Sequence, residues 1–215
     1  MFSIFARKNI TGEHKFTAVK KLKPIPSTQS SSYRLLTMAS KVVNLSPVDN
    51  ESADDMIWLT SATLSIVVVG ASGDLAKKKT YPSLLSLYDD NLLPKDTLIW
   101  GYARSRLTDD DLRDRLRPYL LKEKHSEAVV ESFLQICRYQ GGEKYGDEDA
   151  FGELKHSIDA FEAEHPENEK FNRLFYFAIP PNVFAETGIA IKRTCMQDDN
   201  KGFTRMIVEK PFGRE

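Results

Sequence analysis

Leu64-Ser65-Ile66-Val67-Val68-Val69-Gly70-Ala71-Ser72-Gly73-Asp74-Leu75-Ala76-Lys77-Lys78-Lys79 decides the reading of this chain. The β-branched run Ile66 to Val69 predicts a strand buried on both faces. A glycine-bearing turn interrupts it. Apolar residues at helical spacing follow, with Leu75, Pro82, Leu84, Leu85, Leu87 and Tyr88, so a helix is expected from about Gly73 to Asp89. Strand, tight turn and helix in that order point the free N–H groups of the helix start at the strand's carboxyl end, where an anion binds without a side chain. The spacing Ala71-x-Gly73-x-x-Ala76 follows the dinucleotide pattern, with its first glycine displaced to Gly70. Gly73 lets backbone approach a pyrophosphate, and Ala76 is small enough for helix to lie on strand. A Walker-type loop is excluded because no Gly-Lys-Ser/Thr closes the turn.

Lys77, Lys78 and Lys79 stand where cations oppose the helix dipole, at roughly 0.3–1 kcal/mol each. They need an offsetting anion or must face water. The Asp74 side chain reads as an N-cap, since a carboxylate beside phosphates would repel them.

Outward from this stretch, strands and helices alternate. A second strand is expected over Leu98 to Ala103, then a helix capped by Thr108 with Leu112, Leu116 and Leu120 on one face. Another helix follows from about Glu127, a short strand within Arg138 to Gly142, and an amphipathic helix over Glu148 to Glu164. Leu174 to Ile179 reads as a strand, Asn182 to Met196 as a helix and Thr204 to Val208 as the last strand. Such alternation means an α/β fold, a doubly wound parallel sheet of the Rossmann-like, dinucleotide-binding kind, over residues 61–215.

Residues 1–60 read as a disordered leader. Between Met1 and Pro47 eight basic residues face one acid, Glu13, and Pro24 to Ser32 is Pro/Ser-rich without period. The composition suits an organelle transit peptide, an untargeted tail, or an upstream start with Met38 the true one. Across all 215 residues the 41% apolar and 28% charged fractions describe a soluble globular chain. A net charge of −1 argues against nucleic acid as a partner. No apolar run approaches the ~18 residues of a membrane span. Cys137 and Cys195 show neither disulfide nor metal spacing, which favours a reducing, cytoplasmic compartment, with a plastid or other organelle as the alternative.

The strand ends carry the chemistry. After the second strand an acid would bind the free ribose 2′-hydroxyl of NAD, whereas an arginine accommodates the 2′-phosphate of NADP. This chain has Ala103-Arg104-Ser105-Arg106 and no carboxylate until Asp109, which favours NADP. Tyr176 and Lys210 stand near two other strand ends. Tyr176 reads equally as a core aromatic or a ligand, and Lys210 as a cleft cation.

Gly-Ala-Ser-Gly-Asp-Leu-Ala-Lys-Lys-Lys at 70–79, Gly-Tyr-Ala-Arg-Ser at 101–105, Asn-Arg-Leu-Phe-Tyr at 172–176 and Glu-Lys-Pro-Phe-Gly-Arg at 209–214 closely resemble the glucose-6-phosphate dehydrogenase family. The resemblance implies NADP-dependent oxidation of glucose 6-phosphate at C1 to 6-phosphogluconolactone. It implies that the backbone of Gly70, Ala71, Ser72, Gly73, Asp74, Leu75, Ala76 and Lys77 lies on the cofactor's phosphates and Arg104 on the 2′-phosphate. Tyr176 would then lie beside the nicotinamide end, Lys210 on both substrate and cofactor, and Lys210–Pro211 would be cis. Members of that family are homo-oligomers. Their general base is a histidine beyond the Glu-Lys-Pro-Phe-Gly motif, in a domain that also carries the dimer contacts. The histidines here are His14, His125, His156 and His165, none at a strand end, so the chain is expected to hold cofactor and catalyse little alone. Two readings stay open: the cofactor-binding portion of such an enzyme, or a non-catalytic NADP-binding regulatory or interaction protein.

Overall fold

The computed structural model describes residues 59–209 and two earlier strands, β1 (Ser3–Lys8) and β2 (His14–Ala18). Most of the leader expected over 1–60, the site candidate Lys210 and the expected cis Lys210–Pro211 bond lie outside the described residues. The remaining elements run β3 (Ala62–Val69), α1 (Tyr81–Asp89), β4 (Asp96–Ala103), α2 (Asp109–Leu120), α3 (Glu127–Gln135), β5 (Cys137–Gly141), α4 (Glu148–Ala163), β6 (Lys170–Phe177), α5 (Phe184–Thr194) and β7 (Thr204–Val208). Five strands pair in parallel in the order β5-β4-β3-β6-β7, the doubly wound α/β arrangement expected. Beyond β7 the sheet continues into β1 and β2, which are antiparallel to their neighbours. The sequence reading assigns no strand there.

Alternation along β3 divides the molecule into two cores. Leu64, Ile66 and Val68 face α1, α2 and α3, where Leu85, Leu116 and Phe133 pack. Val67 and Val69 face α4 and α5, where Phe151, Ile158 and Ile191 pack. Every one of these side chains is nearly or fully out of water, and each such burial stabilises the fold by roughly 1.5–3 kcal/mol.

The edge strand β5 is covered by side chains of neighbouring elements. Asp109 Oδ1 accepts the Tyr139 N–H at 2.7 Å, and Arg113 donates to the Cys137 carbonyl at 3.0 Å. That leaves fewer edge groups open to another chain. At the other flank, β6 starts four residues before the expected Leu174, because its polar opening residues have partners. Arg173, 1% exposed, donates to both carboxylate oxygens of Glu162 (2.8 and 2.7 Å) and to Asp159 (2.6 Å). Asn172 Oδ1 accepts the Phe203 N–H at 3.1 Å.

The expected first helix is also present, with a difference. A π turn over Ala76–Thr80, in which the Tyr81 N–H donates to the Ala76 carbonyl, leads into α1. Pro82 explains it. Proline has no N–H for the carbonyl four residues back and its ring collides with that carbonyl, so the wider turn relieves a clash.

Candidate functional site

The strand order reverses on either side of β3, so the crevice lies beyond the carboxyl ends of β3, β4 and β6. Gly70 begins it. Its φ is +93°, and a Cβ there would stand 2.4 Å from the Ala178 carbonyl oxygen, so only glycine lets the turn pass this close to the end of β6. The Gly70 and Ala71 N–H groups donate to the Tyr102 carbonyl at 2.7 and 3.2 Å, and Ala178 N–H donates to the Val69 carbonyl at 2.8 Å. The turn is thus held from both neighbouring strands.

Gly73 N–H donates back to Gly70, and the Lys77 N–H donates to the Gly73 carbonyl at 3.2 Å. Helical backbone begins at Asp74, which puts Gly73 rather than Asp74 at the cap position. This corrects the N-cap expectation. The Asp74 carboxylate turns along the helix instead, accepting from Lys78 Nζ at 2.8 Å and lying 3.2 Å from Lys77. The Lys78 hydrogen bond, joined by Lys77, holds its carboxyl below the ordinary carboxylate range. Asp74 is therefore the anion that offsets two of the three lysines against the helix dipole. Ala71 and Ala76 are fully buried, Ser72 and Gly73 half-buried, and Leu75 is exposed. The N–H groups of the first helical turn have no partner within the helix.

The neighbouring strand end is locked to this turn. Ser105 Oγ donates to Ser72 Oγ at 3.1 Å, placing exposed Arg104 beside the glycine stretch. The Arg104 guanidinium lies 5.0 Å from the centroid of the Tyr145 ring, and Tyr139 donates to the Ser105 carbonyl at 2.6 Å. Arg104, Arg106, Thr108, Gly142 and Asp147 line an open depression of about 930 Å³. The first carboxylate after β4, Asp109, is occupied at the β5 edge by Tyr139 N–H, with Arg113 and Arg138 at 3.8 and 3.7 Å. The support from Tyr139 and Tyr145 escaped the sequence reading, since neither lies near Arg104 along the chain.

Tyr176 stands near the end of β6, on the other side of β3 from Arg104. It is 5% exposed, and its hydroxyl donates to Glu209 at 2.7 Å. Burial, then the Glu209 carboxylate, pushes the phenol well above its ordinary value. The structure thus joins the Gly70 to Lys77 turn and Arg104 in one crevice, with Tyr176 buried at its far side. None of the histidines within residues 59–209 stands at a strand end. His125 is held by Asp89 (2.6 Å) and Ser86 (3.2 Å) of α1, His156 is on α4, and His165 follows α4.

The family model for the glucose-6-phosphate dehydrogenase NAD-binding domain matches residues 67–215. The chain belongs to the glucose-6-phosphate dehydrogenase family. Its similarity to the cytoplasmic isoform of glucose-6-phosphate 1-dehydrogenase from Solanum tuberosum is 46% identity over 155 residues, which is 71% of this chain and 30% of that protein. With the chloroplastic glucose-6-phosphate 1-dehydrogenase 1 of Arabidopsis thaliana it shares 38% over 182 residues, 82% of this chain and 30% of that one. A solved glucose-6-phosphate dehydrogenase in complex with its substrate glucose-6-phosphate superimposes with a TM-score of 0.64 at 41% identity, covering 70% of this chain and 31% of that one. The chain therefore spans about a third of the length of the relatives it matches, and the matched part is their nicotinamide-dinucleotide domain. Among the described residues no helix is long and apolar enough to cross a membrane.

Proposed function

We propose that this glucose-6-phosphate dehydrogenase family chain is the cofactor-holding part of an enzyme that oxidises glucose 6-phosphate to 6-phosphoglucono-1,5-lactone with NADP. One observation carries the choice of NADP over NAD. At the ribose-facing end of β4 stands Arg104, while Asp109 is committed to the Tyr139 N–H and two arginines. A guanidinium there pairs with a 2′-phosphate in bidentate fashion, and the first carboxylate after β4 is engaged at the sheet edge instead of facing a 2′-hydroxyl.

Bound in the crevice, NADP supplies the hydride acceptor. The chain's own residues bind and orient. The first-turn N–H groups of Asp74, Leu75 and Ala76, which have no partner within the helix, take the pyrophosphate, favoured by the helix start and by the close approach Gly73 permits. Ser72 and Ser105 keep that turn and Arg104 in register. Tyr176 fills the floor near the nicotinamide half and its hydroxyl fixes Glu209; Lys210 is assigned to both substrate and cofactor. The C1 hydroxyl proton requires a positioned base. No histidine within residues 59–209 stands at a strand end, so these residues are assigned binding and orientation rather than the role of that base. The compartment proposed is the cytoplasm, in line with the Solanum relative's name.

Equilibrium titration of the full chain with NADP and NAD tests this reading. Arg104→Ala should weaken NADP about 10–100-fold, the value of a lost charge-assisted bidentate contact, and leave NAD nearly unchanged. Equal losses for both nucleotides would overturn it.

A further inference from the structure

Asp96, His165 and Glu167 gather at the amino-terminal rim of the sheet, opposite the dinucleotide crevice, with their ligand atoms all within 4.8 Å of one another. Asp96 opens β4, and the other two lie in the turn between α4 and β6. His165 Nδ1 is 3.6 Å from Asp96 Oδ2 and 3.6 Å from Glu167 Oε1. Both separations are too long for hydrogen bonds. They lie close to the ~3.4 Å that separates two ligands, each about 2.1 Å from a tetrahedral ion.

The surroundings point to a cation on independent grounds. The cluster sits at the carboxyl end of α4, a 16-residue helix whose terminal carbonyls concentrate negative potential there. The ring of His165 packs edge-on to Phe161, with centroids 5.0 Å apart and planes at 72°, which limits its rotation. Asn168, only 5% exposed, donates through Nδ2 to Asp96 Oδ2 at 2.9 Å, the supporting bond that metal-ligating carboxylates usually receive. Two carboxylates and one imidazole are hard enough for oxygen-loving ions and soft enough for zinc. Three protein ligands on a tetrahedral ion leave its fourth position for water.

We propose that Asp96, His165 and Glu167 form a divalent-cation site, of the zinc type, that ties the start of β4 to the turn after α4. Such an ion binds the folded chain and stabilises it by linkage, without touching the nucleotide turn at the other end of the strands. Sequence spacing gives no hint of it, because Asp96 lies far along the chain from the other two.

The full chain, stripped with a chelator and dialysed, is titrated with zinc sulfate by calorimetry and followed by thermal melting. One equivalent should bind, and a hundredfold excess over Kd should raise Tm by about 5–10 °C. His165→Gln and the exposed variant Glu167→Gln should each lose at least tenfold in affinity with the circular dichroism unchanged, while His156→Gln on the outer face of α4 should bind as before. Cobalt(II) loaded in place of zinc should give a visible spectrum that His165→Gln abolishes. The proposal is overturned by absence of binding at about millimolar zinc, or by undiminished affinity in the His165→Gln and Glu167→Gln chains.

Discussion

The Tyr176 hydroxyl donates to the Glu209 carboxylate at 2.7 Å, joining the carboxyl ends of two adjacent parallel strands beside the dinucleotide crevice. Tyr176→Phe removes the donor and leaves a partly buried carboxylate unpaired. A hydrogen bond to a charged group contributes about 1.5–3 kcal/mol, so urea unfolding should show a loss of that order. Glu209→Gln keeps an acceptor for the phenol and should be the milder change.

Gly70→Ala should damage the chain more than Gly73→Ala. At Gly70 a side chain meets both a φ of +93° and the Ala178 oxygen at 2.4 Å, whereas at Gly73 the nearest atom would be the Gly70 oxygen at 3.1 Å. Strain of that first kind costs on the order of 1–3 kcal/mol before any clash is counted. Melting curves of the two variants should separate clearly. In nucleotide titrations, Gly73→Ala should retain its fold and yet bind NADP more weakly, since its Cβ intrudes on the amide-lined turn.

Arg173→Met should be among the most destabilising single changes. Its guanidinium satisfies Glu162 and Asp159 together, and Glu162 also accepts from Gln197 at 3.0 Å. Removing one member of a buried ion pair costs about 3–5 kcal/mol, because it strands the other charge. Adding Glu162→Gln to Arg173→Met should recover part of the loss, and a double-mutant cycle in urea measures the coupling.

Acid should loosen the start of α4 in a predictable sense. The Asp147 carboxylate accepts the Glu143 and Ala150 N–H groups at 2.9 and 3.2 Å. Chiefly the Glu143 bond, opposed by partial burial, holds its carboxyl below the ordinary carboxylate range. A folded value lower than the unfolded one gives stability that is present above the unfolded pKa of about 3.9 and lost as pH falls through the folded value. Asp147→Asn retains a neutral cap. Its deficit against the parent chain should be largest near neutrality and should shrink in melts recorded toward pH 3.

From β3 onward the element order was legible from the residues because these elements leave local marks: β-branched runs, helical periods, and Thr108 capping α2. The corrections fall where a side-chain partner, near or far along the chain, overrides the local signal. Lys170 to Arg173 looks too polar for a buried strand until Glu162 and Phe203 meet it. Asp74 looks like a cap until Lys77 and Lys78, one helical turn on, claim its carboxylate.

By itself the sequence determined the glycine turn, its place between a strand and a helix, and an arginine just past the end of β4, because backbone conformation restricts which residues such a turn tolerates. Only the tertiary structure decided that Tyr139 and Tyr145 brace the Arg104 loop, that Tyr176 spends its hydroxyl on Glu209, and that Asp109 is withdrawn to the sheet edge. Those outcomes depend on hydrogen bonds and ring contacts between residues about 30 or more positions apart, whose pairing no local pattern encodes.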